Sequence, residues 1–228
     1  MKFAWAPRFA LLPLAVLAAA CQLPVDAAER TVEAPAAVRL AGETPGLKQA
    51  IFAGGCFWGV EGVFSHVAGV TSVISGYHGG EARTATYQRV SGGGTGHAEA
   101  VRVTYDPAKI RYDQLLRIFF SVATDPTQRD RQGPDVGTQY RNALVPLSQE
   151  QRLAASAYLA QLRASGLWRQ PIVTRIEPSR RFYPAEAHHQ DFMKINPQNG
   201  YIRQWDAPKV EALQRLFPGF YQAGFRQG

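Results

Sequence analysis

The chain has 228 residues, enough for one substantial domain with extensions, and its 46% hydrophobic and 19% charged residues are those of an ordinary globular core. The formal net charge of +7 comes without any Lys/Arg run; the densest pieces are Arg129/Arg131 and Arg180-Arg181, so the surface reads as basic and solvated, with no nucleic-acid partner. Two cysteines, Cys21 and Cys56, leave no disulfide framework.

The N-terminus carries Met1-Lys2 and Arg8 ahead of an apolar run from Phe9 to Ala20. Residues 1–20 therefore read as a signal peptide, too short in its apolar part to span a bilayer. Two fates are open. One is ordinary cleavage, at Ala20 or near Val25-Asp26-Ala27. In the other, Ala18-Ala19-Ala20 before Cys21 resembles a bacterial lipobox, although Ala18 stands where that box prefers Leu; Cys21 would then be lipidated as the mature N-terminus. Both place the mature chain in the bacterial cell envelope, periplasmic or lipid-anchored, touching a membrane only through that anchor. Residues 21–46, rich in Ala, Pro, Val and Glu without a sustained period, are predicted to be a flexible linker; 47–228 form the domain.

The domain opens with an apolar run, Ala50 to Ala53, predicted as a strand. Gly54-Gly55 turns the chain, and after Cys56 the residues Val60, Val63, Phe64 and Val67 mark one face of a helix. A cysteine in the first helical turn faces unpaired N–H groups and the positive end of the helix dipole, which predicts a lowered thiol pKa and a reactive rather than structural role. Phe57 and Trp58 set apolar surface beside it.

Thr71 to Gly76 reads as a strand ending at Gly76-Tyr77-His78-Gly79-Gly80. The glycines after Tyr87-Gln88-Arg89-Val90 lack the Gly-Lys-Ser/Thr ending of a phosphate loop. His97 to Tyr105 is the clearest strand, one face carrying His97, Glu99, Val101, Val103 and Tyr105. Held against that face, Glu99 would be desolvated, stay protonated near neutral pH and serve as a general acid; a strand-end glutamate reaching solvent is the alternative. Tyr112 to Val122 is an apolar helix stopped by Asp125-Pro126-Thr127. The polar loop Gln128 to Gly137 is long enough to suggest function. Ser148 with Gln151 caps a helix from Gln149 to Arg163, with Leu153, Ala157 and Leu162 among its apolar positions. Ile172 to Ile176 is a further strand, and Phe182 to Glu186 leads into a helix with His188 and His189, which as neighbours should point apart and hold no metal. The remainder is weakly patterned. Irregular alternation of strands and helices predicts an α+β, two-layer sandwich with helices against a mixed sheet.

A Cys–His hydrolase built on Cys56 fits these residues, although the aromatics suit an apolar substrate group better than an oxyanion. The ordered motifs go further: Gly55-Cys56-Phe57-Trp58; Gly76-Tyr77-His78-Gly79-Gly80; Tyr87 with Val90; Thr95-Gly96-His97-Ala98-Glu99 before Tyr105-Asp106-Pro107; Phe119-Phe120 before Asp125-Pro126-Thr127; Arg131-Gln132-Gly133, Asp135 and Gly137-Thr138-Gln139-Tyr140-Arg141; Phe182-Tyr183-Pro184-Ala185-Glu186 with His189-Gln190. From about Gln49 to Asp206 the chain resembles the peptide methionine sulfoxide reductases of the A type.

That resemblance implies a ferredoxin-like core and reduction of the S epimer of methionine sulfoxide, free or in oxidised envelope proteins. Cys56 would attack the sulfoxide sulfur and Glu99 protonate its oxygen. Tyr87 and Tyr140 would donate to that oxygen, Asp135 would sit near the substrate backbone, and Phe57 and Trp58 would hold the methyl group. Many members resolve the resulting sulfenic acid with a C-terminal cysteine. The tail here has none, so the resemblance implies a monomer with no bound cofactor, working through Cys56 alone and recharged by an external thiol or thioredoxin-like protein. His188 stands where the family usually has Tyr, with a modest effect expected on the pocket. The rival readings are a single-cysteine peroxidase and a non-catalytic envelope binding module.

Overall fold

A computed structural model describes Met1 and residues 31–226. The predicted signal peptide and Cys21 lie, Met1 aside, outside the described residues. Strand β1 (Lys48–Gly54) leads through helix α1 (Phe57–Ser65) to β2 (Val70–His78); β3 (Ala98–Tyr105) leads through α3 (Tyr112–Ile118) and a π-helical turn at Phe119–Ala123 to β6 (Asn142–Val145). Between β2 and β3 lies the short helix α2 (Tyr87–Ser91), and before β6 a small hairpin of β4 (Arg131–Gln132) and β5 (Asp135–Val136). Helix α4 (Gln149–Ala164), β7 (Arg175–Ile176), β8 (Phe182–Pro184), α5 (Phe192–Ile195) and α6 (Ala207–Leu216) complete the chain.

The sheet runs β7-β6-β1-β3-β2-β8. Its central four, β6-β1-β3-β2, are mutually antiparallel neighbours joined by two βαβ crossings, which is the ferredoxin-like core; β6 and β7 are parallel, making the sheet mixed. Period-2 alternation on β1 explains the layering. Ala50 and Phe52 face the helices, where Phe52 meets Phe64 at 4.7 Å and Phe119 at 5.3 Å between ring centroids, while Ile51 and Ala53 join a smaller cluster with Ala98, Ala100, Ala143 and Val145.

Three expectations need correction. Residues 31–46 are not a loose linker. They are extended but tied down: Tyr158 donates to the Pro35 carbonyl at 2.7 Å, Arg39 holds Glu150 through two 2.8 Å bonds, and the Ala41 amide donates to the buried Asp113 at 2.8 Å. Ala34 and Ala41 are buried, because alanines let the strap lie close against α3 and α4. On α4 the buried face is Gln151, Ala154, Ala155, Tyr158, Leu159 and Leu162; Leu153 is exposed, one helical step off that stripe. The predicted 172–176 strand shrinks to Arg175–Ile176. At the C-terminus the tail pairs with the far end of α1, Gln222 donating to the His66 carbonyl at 2.8 Å and Ala68 to that of Phe220 at 2.7 Å.

Candidate active site

Cys56 is delivered by the turn at the end of β1. Gly55 has φ +94°, left-handed backbone that glycine alone adopts without strain, and a Cβ there would sit 2.4 Å from Gln132. The hairpin β4–β5 rests on that turn. Gln132 fixes it from the other side, accepting from the Asp125 amide at 3.0 Å and donating to the Asp125 carbonyl at 2.9 Å. Asp135, on the returning strand, is thereby set across from the sulfur.

The predicted site residues converge. Cys56, Phe57, Trp58, Tyr87, Glu99, Asp135 and Tyr140, with Tyr201, line one cavity of about 160 Å³. Drug-sized ligands occupy roughly 300–1,000 Å³, so this cavity fits the end of a side chain rather than a whole cofactor.

Glu99 is 2% exposed, and its Oε2 accepts the Phe57 amide at 3.0 Å, joining β3 to the first turn of α1. Burial pushes its pKa up to about 8; the Phe57 amide opposes the rise, and the charges of Asp135 and Asp206 add to it. Of the two readings of this residue, the buried acid is the one observed. Burial also raises the hydroxyls of Tyr87 and Tyr140, so both remain hydrogen-bond donors at working pH.

The thiol departs from expectation. Cys56 is the N-cap of α1, yet its pKa stands well above the ordinary thiol value. Burial is the main cause, with Asp206, Glu99 and Asp135 adding negative charge around the sulfur; the Trp58 amide, the helix-terminus contribution, pulls the other way and loses. The Cys56 side chain is therefore held as the thiol.

The opposite wall is aromatic. Trp58 stacks on Phe192 at 3.8 Å and 8°, and its indole N–H donates to His189 Nδ1 at 3.3 Å. Accepting there leaves the His189 proton on Nε2, and burial, with His188 beside it, keeps this ring neutral. His188 and His189 do not point apart: they lie in a 3-10 turn, Ala187–His189, with rings 4.2 Å apart, His188 exposed and His189 buried. Glu186 steadies the rim, accepting from the Tyr87 amide and the Tyr77 hydroxyl, both at 2.8 Å.

The weakly patterned remainder supplies what the sequence reading missed. Tyr201 donates to Asp135 Oδ2, the bond that, after burial has raised the Asp135 pKa, draws it back down. Asp206 is fully buried, with Lys209 Nζ 3.6 Å from its Oδ1, and Lys209 is the one buried Lys or Arg among the described residues. The pair packs so tightly on α1 that a Cβ at Gly59 would come 2.2 Å from Asp206. A signal existed: Asp206-Ala207-Pro208 has the acidic cap and early proline of a helix start.

A thiol, a protonated carboxyl and two hydroxyls thus face an apolar wall across a side-chain-sized space, which suits a group polar at one end and apolar at the other. The comparisons agree. The model of the peptide methionine sulfoxide reductase family matches residues 48–218. The chain is 53% identical over 177 residues to the peptide methionine sulfoxide reductase MsrA 2 of Mesorhizobium japonicum, covering 78% of this chain and 91% of that one. It is 51% identical over 178 residues to the MsrA of Deinococcus radiodurans, covering 77% and 86%. Among solved structures, methionine sulfoxide reductase A of Corynebacterium diphtheriae aligns with a TM-score of 0.56 at 33% identity, covering 75% of this chain and 84% of that one. The reduced form of Mxr1 from Saccharomyces cerevisiae aligns at 0.57 and 34%, covering 67% and 87%. The chain belongs to the peptide methionine sulfoxide reductase family, and is an oxidoreductase that reduces methionine sulfoxide.

Proposed function

We propose that the chain reduces the S epimer of methionine sulfoxide, free or in proteins, through Cys56 alone. The observation that carries this is the juxtaposition of a buried thiol, a carboxyl that keeps its proton to about pH 8 and a Trp58-based aromatic wall in one 160 Å³ cavity. The methyl group lies against Phe57 and Trp58. The sulfoxide oxygen then points to Tyr87, Tyr140 and Glu99, and the sulfur faces Cys56. In the R epimer the methyl and oxygen exchange places, setting an S=O dipole against aromatics.

Glu99 protonates the oxygen as the Cys56 sulfur bonds to the sulfoxide sulfur. The thiol proton, held tightly in the resting enzyme, returns to the Glu99 carboxylate. Hydroxyl transfer to the Cys56 sulfur releases methionine and leaves the sulfenic acid, so the substrate gains the two electrons that Cys56 loses. An external thiol or thioredoxin-like protein attacks that sulfenic acid, expelling water, and a second thiol frees Cys56. The tail supports an external reductant: it holds no cysteine, and it is bound at the end of α1 away from Cys56, about 14 Å off for nine residues at roughly 1.5 Å each. Asp135, steadied by Tyr201, orients the substrate backbone and the incoming thiol. The signal predicted from the sequence supports repair of envelope proteins as the work, with the domain either periplasmic or held by a lipid on Cys21.

Turnover of the separated S and R sulfoxides with dithiothreitol tests the reading. S-specific turnover, faster than hydrogen peroxide reduction, is expected; equal turnover of both epimers, or faster peroxide reduction, overturns it.

A further inference from the structure

Tyr87 stands on an element that has little to hold it in place. Helix α2 is five residues long, only Val90 in it is fully buried, and it runs out into Gly92-Gly93-Gly94. So short a helix has almost no stability of its own, and tertiary partners must fix it. Its N-cap, Thr86, makes no side-chain cap bond, so the Tyr87 amide, an unpaired donor of the first turn, needs an acceptor from elsewhere.

That acceptor is Glu186, 99 positions further along the chain. Its Oε1 accepts from the Tyr87 amide and its Oε2 from the Tyr77 hydroxyl, both at 2.8 Å, so each oxygen has its own partner. Tyr77 is fully buried on β2 and stands directly across from Glu99 on β3, with the two side chains on one face of the sheet. One carboxyl group therefore spans from the cross-strand neighbour of Glu99 to the backbone of Tyr87. Three residues on, the His189 ring lies 4.3 Å from that of Tyr87 and sets the side chain as Glu186 sets the backbone. At the other end of α2, the Ser91 carbonyl accepts from Gln139 Nε2 at 3.1 Å, and Gln139 is the residue before Tyr140. The helix is pinned at both ends, and Glu186 itself does not line the cavity.

We propose that Glu186 is a positioning residue for the sulfoxide oxygen site: its two hydrogen bonds fix the Tyr87 hydroxyl relative to Glu99, so that both groups reach the same oxygen atom. The inference rests on reading Tyr87 as a donor to that oxygen.

Glu186→Met keeps the length of the side chain and removes both acceptors. It should lower kcat for methionine-S-sulfoxide about tenfold, the scale of one hydrogen bond, and leave the alkylation rate of Cys56 within about twofold. In a Tyr87→Phe background, with no hydroxyl left to position, the same substitution should cost less than about twofold more. Glu186→Gln, whose oxygen can accept from the Tyr87 amide and whose NH2 can donate to the Tyr77 oxygen, should restore kcat. Exchange of the Tyr87 amide, followed by NMR in full-length protein labelled with nitrogen-15 tyrosine, should quicken about tenfold in E186M and not in E186Q. Tyr77→Phe, the milder variant should E186M fail to fold, should lower kcat in the same direction and add nothing to Y87F. A loss in E186M of equal size with and without the Tyr87 hydroxyl, E186Q behaving like E186M, or unaltered Tyr87 exchange in E186M overturns the proposal. So does an unaltered kcat in E186M or Y77F. Should Y87F turn over as fast as the wild type, the functional reading of Tyr87 falls and the amide exchange alone decides the role of Glu186.

Discussion

Glu99→Gln separates proton donation from every other property of the site. The amide keeps the volume of the side chain and an oxygen for the Phe57 N–H at 3.0 Å, but it has no acidic proton. With a pKa near 8, Glu99 is protonated in roughly 90% of molecules at pH 7 and roughly 10% at pH 9, because each unit is a tenfold change. Wild-type kcat/KM should be flat below pH 8 and fall about tenfold per unit above it, and E99Q should be slower by about 10²–10⁴ with that alkaline limb gone. A stability signature accompanies the rate. Glu99 binds its proton more tightly folded than unfolded, where its pKa is about 4.3, so folding loses stability as pH rises from about 4.3 through about 8, with a ceiling of roughly 5 kcal/mol at about 1.4 kcal/mol per unit. E99Q removes that penalty, so its melting temperature should exceed the wild type's at pH 9 and not at pH 4. Steady-state pH profiles and thermal melts of both proteins check this. An E99Q profile that keeps the limb near pH 8 would falsify the assignment of Glu99 as the acid.

Other outcomes follow from the same geometry. Gly59→Ala sets a methyl 2.2 Å from the buried Asp206 and should destabilise the fold by about 1–3 kcal/mol in denaturant titration. Removing residues 31–46 unpairs Tyr158 and Glu150, takes the Ala41 amide from Asp113, and should cost about 3 kcal/mol or more in stability, with KM for the S sulfoxide unchanged because the strap lies against α3 and α4. Tyr201→Phe withdraws the donor to Asp135, so the Asp135 pKa should rise further, readable as an upward shift in the NMR titration of its side-chain carboxyl.

What was legible in the sequence was whatever repeats locally. Period-2 alternation on β3 placed Glu99 on the buried face, and the Gly54-Gly55 turn with the 3.6-residue stripe after it placed Cys56 at a helix start. Tyr87, Asp135 and Tyr140 were found because their motifs resemble a family, and no spacing brings Glu99 or Asp135 to Cys56. The sign of the thiol shift was out of reach. It depends on three carboxyls, one of them Asp206, contributed from 43, 79 and 150 positions further along the chain. Tyr201 and Phe192 sit in helical segments too short to show a period, and their role comes from packing on Trp58. The strap misled for a related reason: a composition of Ala and Pro reads as flexible, and only the tertiary partners Tyr158, Glu150 and Asp113 make it rigid.

If Cys56 acts alone, intact-mass analysis after one stoichiometric turnover without reductant will show it. The protein should be heavier by one oxygen atom, with the addition on Cys56, converted to a mixed disulfide when a small thiol is then added. Protein at unchanged mass after releasing an equivalent of methionine, or lighter by two hydrogens through a disulfide within the chain, would contradict it.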